Sequence, residues 1–259
     1  MFELKNKKIA FFGAVGYLAT PIVWKMAELG ADLFLADLNQ ERVVKTAREM
    51  KEKYSGQKFE AFHVDAGDFS GMVPCFEKIK TTFGHLDVMV SGIAAANNLT
   101  VEEFTPELMN KTLSTNLTGS FLLARHSAEL MPNGGSMVMF SSMYGQVSPD
   151  PSIYYAPMKS NPIDYGMAKA GLNQMIRYLA VYWGPRNIRV NGVAPGPFPN
   201  IERKYTDSMD FIERLEKKVP LGRVGKQDEM TGSVIYLASD ASSFTNGHII
   251  NVDGGWTAW

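Results

Sequence analysis

The sequence contains one cysteine, Cys75, so no internal disulfide can stabilise the fold. Its four histidines, His63, His85, His126 and His248, lie far apart without ligand spacing, so no metal is expected. Charge of one sign is missing as well: 26 Lys and Arg face 27 Asp and Glu, for a net charge of -1. A nucleic-acid binder needs a clustered basic surface to neutralise phosphates, and the one short basic run, Lys5 to Lys8, is interrupted by Asn6. Nucleic acid is therefore not an expected partner. No stretch approaches the roughly 18 consecutive apolar residues of a membrane span. Repeats, low-complexity tracts and Pro/Gly/Ser-rich linkers are absent too, which argues for one domain over residues 1–259 rather than two.

What is present is an ordinary globular composition, 45% hydrophobic and 20% charged, on a chain long enough for a sizeable core. The N-terminus imitates a secretory leader, with Lys5, Lys7 and Lys8 ahead of an apolar stretch from Ile9 to Ala19. Gly13 and Gly16 interrupt that stretch, and helical periodicity continues through Trp24, Met26 and Leu29 to Gly30, so strand, glycine turn and helix is the better reading. A cytoplasmic protein follows from it.

Further along, short β-branched or aromatic runs alternate with segments of helical period, the pattern of βαβ units. Strands are expected at Lys8–Phe12, Asp32–Ala36, Lys58–Val64, Leu86–Val90, Ser136–Phe140, Ile188–Val193 and His248–Val252. Helices are expected at Leu18–Leu29, Asn39–Lys53, Gly71–Phe83, Thr105–Met131, Asp164–Trp183 and Gln227–Leu237. The fold class is α/β, a doubly wound, seven-stranded parallel sheet flanked by helices. Between Asn200 and Gly225 charge rises and no strand can be read. Met209, Phe211 and Ile212 put apolar residues on a charged, mobile helix there, which suggests a lid at 200–225 closing over substrate. Met26, Met50, Met109, Met131 and Met175 fall at helical spacing and are expected in the core.

The turn after the first strand reads Gly13-Ala14-Val15-Gly16-Tyr17-Leu18-Ala19. Glycines let the backbone approach a pyrophosphate, and the helix opening behind them offers unpaired N–H groups at its positive dipole end. Asp37 closes the second strand 21 residues after Gly16, where a carboxylate accepts the two hydroxyls of an adenosine ribose and repels a 2′-phosphate. Neither Val15 nor Leu38 beside it is basic, so NAD is favoured over NADP. Asp65, followed by Ala66 after the third strand, is placed to hold the adenine amino group or to cap the next helix.

Tyr165 and Lys169 lie one helical turn apart on one face. A free tyrosine, with a pKa of about 10, is too weakly acidic to serve as a general base near neutrality, and an ammonium one turn away stabilises its phenolate. A second Tyr-x-x-x-Lys, Tyr155 to Lys159, contains Pro157 and precedes Pro162, which disfavours a regular helix there. Ser142, after the fifth strand, is placed to position a substrate oxygen, and Asn116 stands in the middle of a predicted helix where an amide is a poor helix former.

Taken together, Gly13 and Gly16, Asn116, Ser142, Tyr165 and Lys169, and Pro195-Gly196 resemble the short-chain dehydrogenase/reductase family over essentially the whole chain. The resemblance implies a single Rossmann domain, hydride transfer at nicotinamide, and a homotetramer or homodimer. It implies Tyr165 as acid/base, Lys169 as its assistant and ribose ligand, Ser142 as the group orienting the carbonyl, and Asn116 in a proton relay. Cofactor contacts are implied for Gly13, Val15, Gly16, Tyr17, Leu18, Asp37, Asp65, Ala66, Gly92, Tyr165, Lys169, Pro195, Gly196 and Phe198. Three departures stand out: the glycine spacing is closer to the sugar-nucleotide epimerase branch, Ser91-Gly92-Ile93-Ala94 replaces Asn-Asn-Ala-Gly, and Asn200 stands where a threonine is usual.

Ser142 and Tyr165 are 23 residues apart, a longer gap than compact members of the family carry. The insertion, 143–164, is rich in tyrosine and proline and serves either as a wall of the substrate pocket or as an oligomer contact. It resembles members acting in carbohydrate pathways, of the flagellin-modification and nonulosonate kind, and the ending Asp253 to Trp259 resembles gluconate 5-dehydrogenases. Trp256 and Trp259, so close to the C-terminus, are expected at a subunit interface. The expected activity is NAD-dependent interconversion of a secondary alcohol and a ketone on a sugar or sugar acid. The alternatives are an epimerase or dehydratase with tightly held NAD, and a non-catalytic NAD-binding regulatory module.

Overall fold

In the first strand, β1 (Lys8–Phe12), Ile9 and Phe11 point into one apolar layer while Ala10 and Phe12 point into another. A strand buried on both faces needs helices on both sides, and that is the architecture of the computed structural model, which describes residues 2–156, 158–201 and 209–259. The other strands are β2 (Asp32–Asp37), β3 (Phe59–His63), β4 (Val88–Ser91), β5 (Gly135–Phe140), β6 (Ile188–Pro195) and β7 (Ile249–Val252). They form one parallel sheet in the order β3-β2-β1-β4-β5-β6-β7. The strand order reverses between β1 and β4, and an α/β sheet opens a ligand crevice at the carboxyl ends of the strands at such a point.

On one face α1 (Ala19–Glu28), α2 (Gln40–Lys53) and the helix Thr231–Ala238 cover Ile9, Phe11, Leu33, Leu35, Val88 and Val90. The other face is covered by α3 (Met72–Phe83), α5 (Ser120–Glu129) and α6 (Ile163–Trp183), which meet Phe12, Phe34, Met89, Met137 and Met139. Asn39 starts α2 by accepting the Arg42 N–H at 3.0 Å. Met26, Met50 and Met131 are in the core as expected; Met109 and Met175 are half-buried. No helix among the described residues is long and apolar enough to cross a membrane.

Two expectations need correction, and a third is met for its described part. The predicted helix Thr105–Met131 is not regular: α4 (Pro106–Leu113) passes into a π turn at Ser114–Gly119 before α5 begins. The charged segment after Asn200 carries the expected helix, α7 (Met209–Lys218), followed in chain order by α8 (Thr231–Ala238), while residues 202–208 of the expected lid lie outside the described residues. Trp256 is buried within the chain itself, not held in reserve for a neighbouring subunit, whereas Trp259 is 79% exposed.

Trp256 belongs to a third apolar cluster with Met143, Tyr144, Ile153, Phe211, Ile212, Leu215 and Val219. The cluster joins the 143–164 insertion to α7 and the C-terminus. Ion pairs and a ring contact extend it: Lys218 lies 2.6 Å from Asp150, and Arg214 donates to the Ile153 carbonyl at 2.9 Å while stacking on Tyr155.

Candidate active site

Gly13 follows β1 with φ of +77°, a conformation that a side chain disfavours, and an added Cβ would lie 2.8 Å from the Gly92 carbonyl oxygen after β4. The two strands at the reversal thus close on each other through glycine, and the backbone there stays open to a ligand. Leu18 precedes α1 without any side-chain cap, so the first N–H groups of the helix face the cleft unpaired by a side chain. Asp37 ends β2 with one carboxylate oxygen accepting the Val15 N–H at 3.0 Å and the other the Asn39 N–H at 2.9 Å. Each oxygen retains a lone pair for a ribose hydroxyl. This uncapped helix start, glycine cradle and fixed carboxylate fit a dinucleotide.

The cleft that runs from Asp37 to Tyr165 has a volume of about 560 Å³. Along it lie Gly13, Val15, Gly16, Tyr17, Leu18, Asp65, Ala66, Gly92, Ser142, Lys169, Pro195, Gly196 and Phe198, every expected cofactor-binding residue together with the expected serine and lysine. Asp65 also spends one oxygen on the Gly67 N–H at 2.7 Å, a local turn that neither of its two expected roles describes. Arg42, on α2, lines the adenosine end as well; its position five residues after Asp37 was the signal the sequence reading passed over.

Asn116 is fully buried in the π turn and does not itself line the cleft, which its neighbour Thr115 and its partner Ala95 do. Its side chain pairs in both directions with one residue of the loop after β4, accepting the Ala95 N–H at 2.7 Å and donating to the Ala95 carbonyl at 2.6 Å. A π turn breaks the regular i to i-4 ladder and so frees main-chain groups, and such turns cluster at functional sites.

Ser142 leaves β5 in an extended conformation, accepts the Tyr144 N–H at 3.1 Å and is hydrogen-bonded to Tyr165. Lys169 is buried one turn along α6 from Tyr165, its Nζ 5.5 Å from the centre of the tyrosine ring. It donates to two carbonyls, Phe140 at 2.7 Å and Ile93 at 3.0 Å. Burial brings the Lys169 amine down to about 7. Burial also raises the Tyr165 phenol above its ordinary 10, with the Ser142 hydrogen bond pulling it back. This departs from the expected lowering of the phenol by Lys169. The reason is that desolvation of the phenolate outweighs its neighbours while Nζ is turned towards main-chain oxygens.

Tyr155 and Lys159 take no part in the cleft. Tyr155 is 59% exposed, and Lys159 is paired with Glu103 at 2.6 Å. Sequence reasoning also missed Asp164 and Asn97, which meet beside Tyr165 at 2.8 Å. They are 67 residues apart, and no local pattern links them.

A parallel sheet with a dinucleotide cleft at its reversal, and a serine, tyrosine and lysine at one end of that cleft, defines a nucleotide-dependent oxidoreductase fold. The family model described as enoyl-(acyl carrier protein) reductase matches residues 13–257. The chain belongs to the short-chain dehydrogenase/reductase family. It is 31% identical to a D-arabinitol 2-dehydrogenase (ribulose-forming) of Candida albicans, over 100% of this chain and 95% of that one. It is also 31% identical to an NADP-dependent mannitol dehydrogenase of Alternaria alternata, over 99% and 94%. Among solved structures, a short-chain dehydrogenase of Leptospira borgpetersenii with bound NAD+ superposes with a TM-score of 0.85 at 28% identity, over 98% of this chain and 94% of that one.

Proposed function

We propose that this protein is an NAD-dependent dehydrogenase that interconverts a secondary alcohol and a ketone on a sugar-derived polyol or hydroxy acid. The observation that carries the reading is the convergence of Ser142, Tyr165 and Lys169 at one end of a cleft whose other end is the Asp37 carboxylate. A bound nicotinamide supplies the hydride acceptor or donor. Ser142 holds the substrate oxygen, and the Tyr165 hydroxyl exchanges the proton with that oxygen. Lys169, whose ammonium keeps one N–H beyond those given to the Phe140 and Ile93 carbonyls, is read as holding the ribose and stabilising the phenolate when it forms. Asn116 fixes the Ile93–Ala95 loop that makes the opposite wall.

Asp37 supports NAD, because its carboxylate opposes a 2′-phosphate. Arg42 favours the second reading, in which NADP is also used: its guanidinium lies at the same end of the cleft. The polyol names of the two relatives support the substrate class. The 143–164 insertion and α7, joined through Ile153, Phe211 and Tyr154, are read as a cap over the substrate end. The apolar outer face of α6, with Ile163, Met167, Tyr178, Val181 and Tyr182 exposed, supports assembly into a homodimer or homotetramer.

The test is a panel of pentitols, hexitols, aldonates and uronates with NAD or NADP, followed by NADH or NADPH absorbance. Net reduced cofactor on at least one substrate, lost in Tyr165→Phe and kept in Tyr155→Phe, is the expected result. Turnover without net NADH would instead establish an epimerase or dehydratase, and a tight NAD complex that turns over nothing would establish a regulatory module.

A further inference from the structure

Asp164 immediately precedes Tyr165 and is fully buried. It stands in the first turn of α6, where backbone N–H groups lack intrahelical partners, and its Oδ1 accepts the Tyr165 N–H at 2.8 Å. Its Oδ2 accepts a hydrogen bond from the Asn97 side-chain amide, also at 2.8 Å. The same Asn97 nitrogen donates its second hydrogen to Thr112 Oγ1 on α4 at 2.8 Å. Two residues earlier the same loop is gripped by Asn116 through Ala95, and two residues before that the Ile93 carbonyl takes the Lys169 ammonium.

One short loop therefore touches Asn116, Lys169 and, through Asp164, the backbone of Tyr165. Every polar group in the Asn97–Asp164 bridge is complementary: two amide hydrogens meet a hydroxyl oxygen and a carboxylate oxygen. A buried network of this kind fixes relative positions only while all members are satisfied. We propose that Asp164 and Asn97 are positioning residues that set the Tyr165 hydroxyl against the Ile93–Ala95 wall, and so against the substrate oxygen. Neither reaches the reacting atoms. The inference rests on the role given to Tyr165 above.

The bridge can be reversed without losing a bond, and that provides the test. In Asp164→Asn the new amide keeps its oxygen on the Tyr165 N–H and turns its NH₂ to Asn97, a change that is accommodated when the Asn97 amide turns over to present its oxygen and the Thr112 hydroxyl becomes a donor. In Asn97→Asp two carboxylates confront each other. In the double swap, Asn97→Asp with Asp164→Asn, the amide donates to the carboxylate in the opposite sense and the Thr112 hydroxyl rotates to become a donor. At saturating NAD and polyol, Asn97→Asp is expected to lower kcat about tenfold or more with NADH affinity unchanged, while Asp164→Asn is expected to stay within about threefold of the native protein. The double swap is expected to recover to within about threefold of the native protein. Asn97→Asp with native kcat, or a double swap no better than Asn97→Asp, would overturn the inference.

A second readout needs no substrate. In protein labelled with carbon-13 at the tyrosine Cζ, the Tyr165 resonance is assigned by its loss in Tyr165→Phe. It is expected to move in Asn97→Asp and return in the swap, and a resonance unmoved in Asn97→Asp also overturns the inference. Native protein silent on every polyol would remove the proposed function while leaving this resonance pattern to decide the bridge.

Discussion

Gly13 and Gly92 meet where β1 and β4 end, with the position of a Gly13 Cβ only 2.8 Å from the Gly92 carbonyl oxygen. No flexible side chain can yield at that contact, because the obstacle is backbone. Gly13→Ala also forces a side chain onto φ of +77°, at a cost of about 1–2 kcal/mol before any clash. The variant is expected to melt at lower temperature and to bind NADH at least tenfold more weakly. Isothermal titration at matched folded fraction checks it.

Asp37 and Arg42 line the same cleft with opposite charges, and the proposed NAD preference makes them act in opposite directions. Removing the carboxylate in Asp37→Ala takes away hydrogen bonds to the ribose and the repulsion of a phosphate together. Charge-assisted hydrogen bonds contribute about 1.5–3 kcal/mol, so NAD affinity is expected to fall about tenfold to a hundredfold while NADP affinity rises. In Arg42→Ala, NAD affinity is expected to hold and NADP affinity to fall. Both are read from dissociation constants, and an Asp37→Ala protein with unchanged preference would remove Asp37 from the ribose.

Lys169 makes the stability of the protein depend on pH in a particular direction. Its folded-state value of about 7 lies below the ordinary 10.5, so burial of the ammonium is a penalty that is complete below pH 7. Between pH 7 and 10.5 the unfolded chain holds a proton that the folded chain has released, and this contribution to stability rises with pH. The melting temperature of Lys169→Met minus that of the native protein is therefore expected to be largest near neutrality and to shrink towards pH 10. A flat difference would show that Lys169 keeps its proton throughout.

Phe211 anchors α7 on the insertion, its ring 5.7 Å from that of Tyr154 and its side chain buried beside Ile153 and Trp256. Truncating a buried phenylalanine costs about 3–5 kcal/mol in a core, but here the loss falls on the cluster that joins α7 to the insertion and not on the sheet. Phe211→Ala is expected to speed hydrogen exchange in α7 and the 143–164 insertion and to raise KM, with β1, β4 and β5 exchanging as before. Uniformly faster exchange would make this cluster part of the global core.

The sequence by itself determined the features that depend on neighbours in the chain. Short β-branched or aromatic runs laid out the seven strands, the glycine spacing marked the turn after β1, and the four-residue step from Tyr165 to Lys169 put both on one helical face. Pro157 and Pro162 were enough to set Tyr155 and Lys159 aside. Tertiary structure decided the rest, because those contacts join segments whose approach depends on how helices pack on a sheet. It turned the Lys169 ammonium to the Phe140 and Ile93 carbonyls, carried Trp256 under α7, and brought Arg42 to the adenosine end. It also introduced a π turn at Asn116, which a regular period cannot foresee, and closed a hydrogen bond between Asn97 and Asp164 across 67 residues of chain. Local periodicity carries no information about which distant polar groups will share a buried pocket; burial itself does, by making an unpaired donor or carboxylate too costly to leave.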